Sequence, residues 1–157
     1  MPEPAAPADI VVGTVRPDEE GWAAYVGLFA DYRAYYGAGE REPGAGDRWL
    51  RTHEGAGGVH CYLARAPEPV AMAVVVVSPA SLRLGVFWQL RDLFVAPEAR
   101  RRGVGRAVVT SIATDARAHG ALRLALQTES SNAAAQALYH GLGFEDVAGY
   151  VQMMLTL

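Results

Sequence analysis

The sequence predicts an α/β fold, a mixed central sheet of about seven strands with helices on both faces. Three observations predict it. Short apolar runs alternate with segments whose apolar residues recur every three to four positions, the order of a layered α/β chain. At 157 residues and 51% hydrophobic, the chain can fill one core and is short for two. Between residues 93 and 106 an apolar run, a basic glycine-punctuated turn and a helical pattern follow one another without a gap.

Residues 1–9 are proline-rich and read as a flexible tail ahead of a single domain over 10–157. Ile10 to Val15 reads as a strand stopped by Pro17. Asp18 is the candidate cap of a helix in which Trp22, Tyr25, Val26, Phe29, Tyr32, Arg33 and Tyr36 recur at helical spacing as far as Gly37. A loop over 37–46 leads to a short second helix, Asp47 to Glu54, closed by the glycines at 55, 57 and 58. Val59 to Ala64 and Val70 to Val77 read as a hairpin joined through Pro67-Glu-Pro69. Phe87 to Val95 is the next strand, and the helix after the basic turn runs from Val104 to His119, stopped by Gly120. Leu122 to Gln127 reads as a strand, Asn132 to His140 as a helix, and Phe144 to Leu157 as two final short strands.

Composition removes several classes of function. A net charge of −3 and a pI near 5.8 argue against a nucleic-acid binder, which carries a basic surface. All fourteen basic residues are arginine, which excludes a Walker-type phosphate loop and Schiff-base chemistry, since both need a lysine amine. Codon bias in a GC-rich genome accounts for that usage. The single cysteine, Cys61, lies in an apolar run and reads as a buried structural thiol. Histidines 53, 60, 119 and 140 show no metal-ligand spacing, so no metal is expected. No run approaches the roughly 18 apolar residues of a membrane span, and the first residues lack a secretory pattern. A cytoplasmic protein without a membrane partner is the expectation.

The turn carries the chemistry. Gly103 and Gly105 leave no Cβ between the backbone and a ligand, and the first amides of the following helix have no intrahelical partner. The helix dipole adds roughly 0.3–1 kcal/mol for an anion placed there. A pyrophosphate suits this geometry, with Arg100, Arg101, Arg102 and Arg106 at hand for further phosphate. A solvated basic helix start satisfies the same residues. A dinucleotide-binding turn does so less well, because Gly103-Val-Gly105-Arg-Ala-Val108 lacks the third small residue.

Arg100-x-x-Gly103-x-Gly105 after a Leu-x-Val strand resembles the acyl-CoA turn of the GNAT N-acetyltransferase superfamily. A second segment resembles it independently: Asn132-x-x-Ala-x-x-Leu-Tyr139-x-x-x-Gly-Phe144 follows in the family's order, and the order of elements matches over nearly the whole chain. The resemblance implies acetyl-CoA as acyl donor and direct transfer to a primary amine of a small molecule or amino acid in a ternary complex. It implies that Leu93, Phe94 and Val95 pair through their backbone with the pantetheine arm and hold the thioester carbonyl. Arg100, Arg101, Arg102, Gly103, Val104, Gly105 and Arg106 would bind the phosphates. Asn132 would touch the coenzyme, and Tyr139 would lie beside the sulfur as general acid.

The base is less directly indicated. Gln89, Arg91 and Gln127 stand where some relatives carry a glutamate, which leaves Asp92 as first candidate, Glu129 as second, or a water relay. Tyr35 and Tyr36, with Tyr32 and Arg33, are candidates for the wall of the acceptor site. Arg91 argues against a polycationic acceptor. A homodimer is the expected assembly. The alternatives are acetylation of a protein N-terminus or of charged tRNA, the latter disfavoured by the acidic balance, and a non-catalytic acyl-CoA-binding regulatory module.

Overall fold

The structure, a computed structural model, describes residues 9–39 and 42–157. The expected tail lies, apart from Asp9, outside the described residues. The chain divides into two compact units, 1–127 and 128–157.

The first unit is a five-stranded sheet in sequence order: β1 (Val11–Thr14), β2 (Val59–Arg65), β3 (Pro69–Ala80), β4 (Gly85–Val95) and β5 (Leu124–Leu126). The first four strands run antiparallel to their neighbours, and β5 runs parallel to β4. Three helices accompany it: α1 (Trp22–Tyr35), α2 (Ala45–Gly55) and α3 (Val104–Ala118). The second unit holds α4 (Ala133–His140).

Each face of the sheet has its own core. Trp22, Tyr25, Leu28 and Phe29 of α1 and Leu50 of α2 pack with Cys61, Leu63, Met72, Val74 and Phe94. On the other face, Val108, Val109, Ile112 and Ala116 of α3 are buried together with Tyr62, Val75, Trp88 and Leu90. Tyr62 on β2 reaches α3 with its hydroxyl, donating to Asp115 Oδ2 at 2.9 Å. The mixed sheet with helices on both faces is therefore as expected.

Three details depart from the sequence reading. Gly21, with φ 99°, is the cap of helix α1, and Asp18 instead occupies the preceding turn, where its carboxylate pairs with Arg51 at 3.0 Å. A Cβ at residue 21 would run into Leu63 Cδ2 and the Arg65 guanidinium, so the chain passes closely enough over β2 to need glycine there. The sheet has five strands, because Phe144–Leu157 contains none among the described residues. Residues 150–157 are mostly apolar, but a strand also needs a backbone partner for its ladder. Their large apolar side chains are exposed. Finally, β5 is only three residues long, although Leu122 N still donates to Val86 O at 2.9 Å just before it.

The register of β3 against β4 positions the site. Val74 lies opposite Asp92, whereas Val75 lies opposite Leu90, so Arg91 is an inserted residue and forms a β-bulge. Without it, Asp92 would share a face with Leu90 by strand alternation. The bulge turns Asp92 and Phe94 toward α1 and leaves Trp88 and Leu90 toward α3.

Candidate active site

Strand β4 pairs with β5 only through Trp88, Gln89 and Leu90. From Asp92 to Val95 it keeps β3 on one side and has no strand among the described residues on the other. Backbone groups on that open side have no strand partner among the described residues, the arrangement by which an extended arm adds to a sheet as a strand does.

The chain leaves this strand through a single 3-10 turn, Pro97–Ala99, and enters the basic turn. Arg101 has φ 60° and Gly103 has φ 81°, ψ 0°, so two left-handed residues fold the backbone sharply ahead of α3. The first helical hydrogen bond runs from Ala107 N to Gly103 O at 3.0 Å. The amides of Val104, Gly105 and Arg106 precede it and face out of the helix end, which carries the positive pole of the dipole. Val104 is buried and anchors the helix start, while the Arg101, Arg102 and Arg106 side chains are exposed around it. An anion of pyrophosphate size fits these donors and charges.

Arg100 is engaged differently from its neighbours. Its Nε donates to the Val95 carbonyl at 2.9 Å, and its guanidinium lies 5.6 Å from the Tyr35 ring and 5.7 Å from the Phe94 ring. Both distances are within reach of a cation–π attraction. Arg100 therefore ties the end of β4 to the end of α1.

On the α1 side the Tyr32 hydroxyl donates to Asp92 Oδ1 at 2.5 Å. Burial, and then this hydrogen bond, push the Tyr32 phenol well above its ordinary range, so it remains a protonated donor at neutral pH. Its ring meets Phe94 at 6.3 Å and Tyr36 at 5.3 Å, and Tyr36 meets Tyr35 edge-on at 5.1 Å. Tyr35 and Tyr36 are 66% and 59% exposed, so their rings present a surface and are not part of the core. A continuous set of contacts thus links Asp92, Tyr32, Tyr36, Tyr35 and Arg100 to Val95. The sequence placed Tyr32 on the wall but did not pair it with Asp92. No local signal could, since sixty positions separate them.

In the second unit, Asn132 caps α4, its Oδ1 accepting from Ala135 N at 3.1 Å. The Gln136 amide donates to the carbonyls of Glu129 and Ser130 at 3.1 and 2.9 Å, holding the approach to the helix. Beyond the helix, Phe144 N returns to Tyr139 O at 3.0 Å, and the two rings meet edge-on at 5.7 Å. Gly143, with φ 90°, makes that return. The Asn–Tyr–Gly–Phe motif is therefore one local structure: a capped helix folded back on its own last turn.

A family model described as the Acetyltransferase (GNAT) family matches residues 19–144, which include the open strand, the turn and the capped helix. The chain belongs to the GNAT acetyltransferase family. It is 30% identical over 136 residues to an uncharacterized N-acetyltransferase, YhfO, of Bacillus subtilis (strain 168), covering 86% of this chain and 91% of that protein. It is 39% identical over 57 residues to a ribosomal protein bS18-alanine N-acetyltransferase of Salmonella typhimurium (strain LT2), 36% of this chain and 38% of that protein. Among solved structures it is similar to a probable acetyltransferase, with a TM-score of 0.81 at 28% identity, covering 95% and 97% of the two chains. As a GNAT protein it is an acyl-CoA-dependent N-acetyltransferase. Among the described residues no group of three or more His, Cys, Asp or Glu side chains is arranged to hold a metal ion, and no helix is long and apolar enough to cross a membrane.

Proposed function

We propose that this GNAT protein moves an acetyl group from acetyl-CoA to the primary amine of a small molecule or amino acid, directly within a ternary complex. One observation carries the reading. The one-sided stretch of β4 from Asp92 to Val95 runs within eight residues into a left-handed glycine and the open first turn of α3. An extended arm along the strand and a pyrophosphate at the helix end match the two halves of coenzyme A.

In this reading the amides of Val104, Gly105 and Arg106 bind the pyrophosphate, with Arg101, Arg102 and Arg106 adding charge. Leu93, Phe94 and Val95 pair with pantetheine and orient the thioester carbonyl, where one well-placed donor is worth about 10²–10³ in rate. Arg100 holds the end of that strand. Asn132 and Tyr139 take the coenzyme-side roles of their family motif.

A primary amine with a pKa near 10.4 is only about one part in 2,500 neutral at pH 7, a cost of roughly 4.6 kcal/mol. Asp92 is the proposed acceptor for the amine proton, directly or through water, because its second oxygen takes no hydrogen bond from the described residues. The amine lone pair then forms the N–C bond as the C–S bond breaks. The electron pair leaves on sulfur, which takes a proton in the role the family motif gives Tyr139, while the acylated nitrogen releases its second proton through water, which restores the phenol. Holding amine and thioester in attack geometry supplies most of the remaining acceleration.

The test is release of free thiol from acetyl-CoA across a panel of amines, with acetylated products resolved by mass. Release with no small amine would refute the reading. A second reading, acetylation of a protein's N-terminal amine, draws on the 39% identity over 57 residues to the bS18-alanine enzyme. Peptides with free N-termini in the same assay distinguish it.

A further inference from the structure

Arg91 is the residue inserted by the β-bulge, so it has no register partner in β3 and its side chain is exposed. Three arginines of this unit are ion-paired: Arg16 with Glu54, Arg48 with Glu42, and Arg51 with Asp18 and Asp47. Arg91 makes no ion pair with any described residue, although its neighbour in sequence is a carboxylate. Its charge reaches the Tyr32–Asp92 pair, because it opposes the factors that raise the Tyr32 phenol. Asp92, fixed by Tyr32, and the exposed Arg91, which has no ion pair among the described residues, are thus consecutive residues where β4 enters its open stretch. The exposed rings of Tyr36 and Tyr35 continue the same surface.

We propose that Arg91 is a specificity-determining residue that reads an anionic group on the acceptor, so that the acceptor is an amino-acid-type zwitterion. This rests on the acetyl-transfer reading above and names its substrate class. The ammonium approaches Asp92, and the carboxylate lies on the guanidinium, whose planar fork matches two carboxylate oxygens at once. The remaining side chain lies against the tyrosine rings. The same guanidinium repels a second ammonium, which disfavours diamines and polyamines.

The experiment measures thiol release with saturating acetyl-CoA for free amino acids, each paired with its decarboxylated amine. It uses the wild type, Arg91→Gln and Arg91→Lys. The readout is the ratio of kcat/KM within each pair compared between proteins, which cancels the different basicities of the two amines. Arg91→Gln is expected to lower that ratio at least about tenfold, mainly through KM for the amino acid, the size of effect of a lost charge-assisted pair. Arg91→Lys should recover part of it, and melting temperatures should stay close to wild type because the side chain is exposed. An unchanged ratio in Arg91→Gln overturns the proposal and leaves acetyl transfer standing. Activity on peptide N-termini alone does the same. No thiol release with any amine, while acetyl-CoA still binds, refutes the transferase reading and this proposal with it.

Discussion

The Tyr32 hydroxyl holds Asp92 Oδ1 at 2.5 Å, joining α1 to β4 immediately beyond the bulge at Arg91. Tyr32→Phe keeps the ring packed against Phe94 and Tyr36 and removes only this bond. A hydrogen bond to a charged group is worth about 1.5–3 kcal/mol, less where water reaches it as here. The expected result is a roughly tenfold fall in kcat/KM for the acceptor with acetyl-CoA affinity retained. Steady-state kinetics paired with calorimetric titration checks it. Wild-type kinetics in the variant would mean that Asp92 does not need its partner.

Gly105 lies in the first turn of α3 and Gly103 precedes it at φ 81°. Gly105→Glu places a carboxylate beside amides assigned to a pyrophosphate, at a position with ordinary helical backbone. Loss of coenzyme A binding by calorimetry, with a near-native melting temperature, is the expected outcome. Gly103→Glu should lose binding too, together with some stability, since its backbone is left-handed. Unchanged affinity in both variants would remove the pyrophosphate assignment.

The four arginines of the turn should not behave alike. Arg101→Ala, Arg102→Ala and Arg106→Ala are expected to weaken coenzyme A more than dephospho-coenzyme A in at least one case, because an exposed guanidinium can read the separate 3′-phosphate. Arg100→Ala should weaken both ligands equally, since its Nε is engaged with the Val95 carbonyl. Equal losses for both ligands at all four positions would show that no side chain here reads the 3′-phosphate.

Tyr139→Phe separates acid catalysis from packing. Its ring meets Phe144, and phenylalanine preserves that contact. General acid assistance is worth about 10²–10⁴, so kcat should fall at least about tenfold even with water as a substitute. Acetyl-CoA affinity should change little. A fully active but destabilised variant would place the acid elsewhere.

Burial first, and His119 second, hold the His60 imidazole below its usual value, against the smaller opposing pulls of Glu54 and Asp115. The unfolded chain therefore takes up this proton at a higher pH than the folded one. The resulting stability is complete above the unfolded value of about 6.5 and is lost as pH falls through it toward the folded value. Denaturant unfolding at pH 7.5 and 5.5 should show a larger acid loss in wild type than in His60→Gln. Equal losses would assign the effect to other groups.

The placement of helices and strands was legible in the sequence wherever the cause is local. Periodicity located α1, α3 and α4, and the turn at Arg100–Arg106 announced itself because two glycines and a helix start act within a few residues of one another. Asn132 was readable as a cap for the same reason, its acceptor lying three residues from its donor. The cap of α1 was misread, because the need for Gly21 comes from Leu63 and Arg65 on β2. The bulge that turns Asp92 toward Tyr32, the engagement of Arg100 with Val95, and the missing strands after Phe144 were likewise beyond it. Each depends on which distant backbone lies alongside. Strand alternation specifies two faces but neither the partner nor the register, and those are settled only when the chain packs.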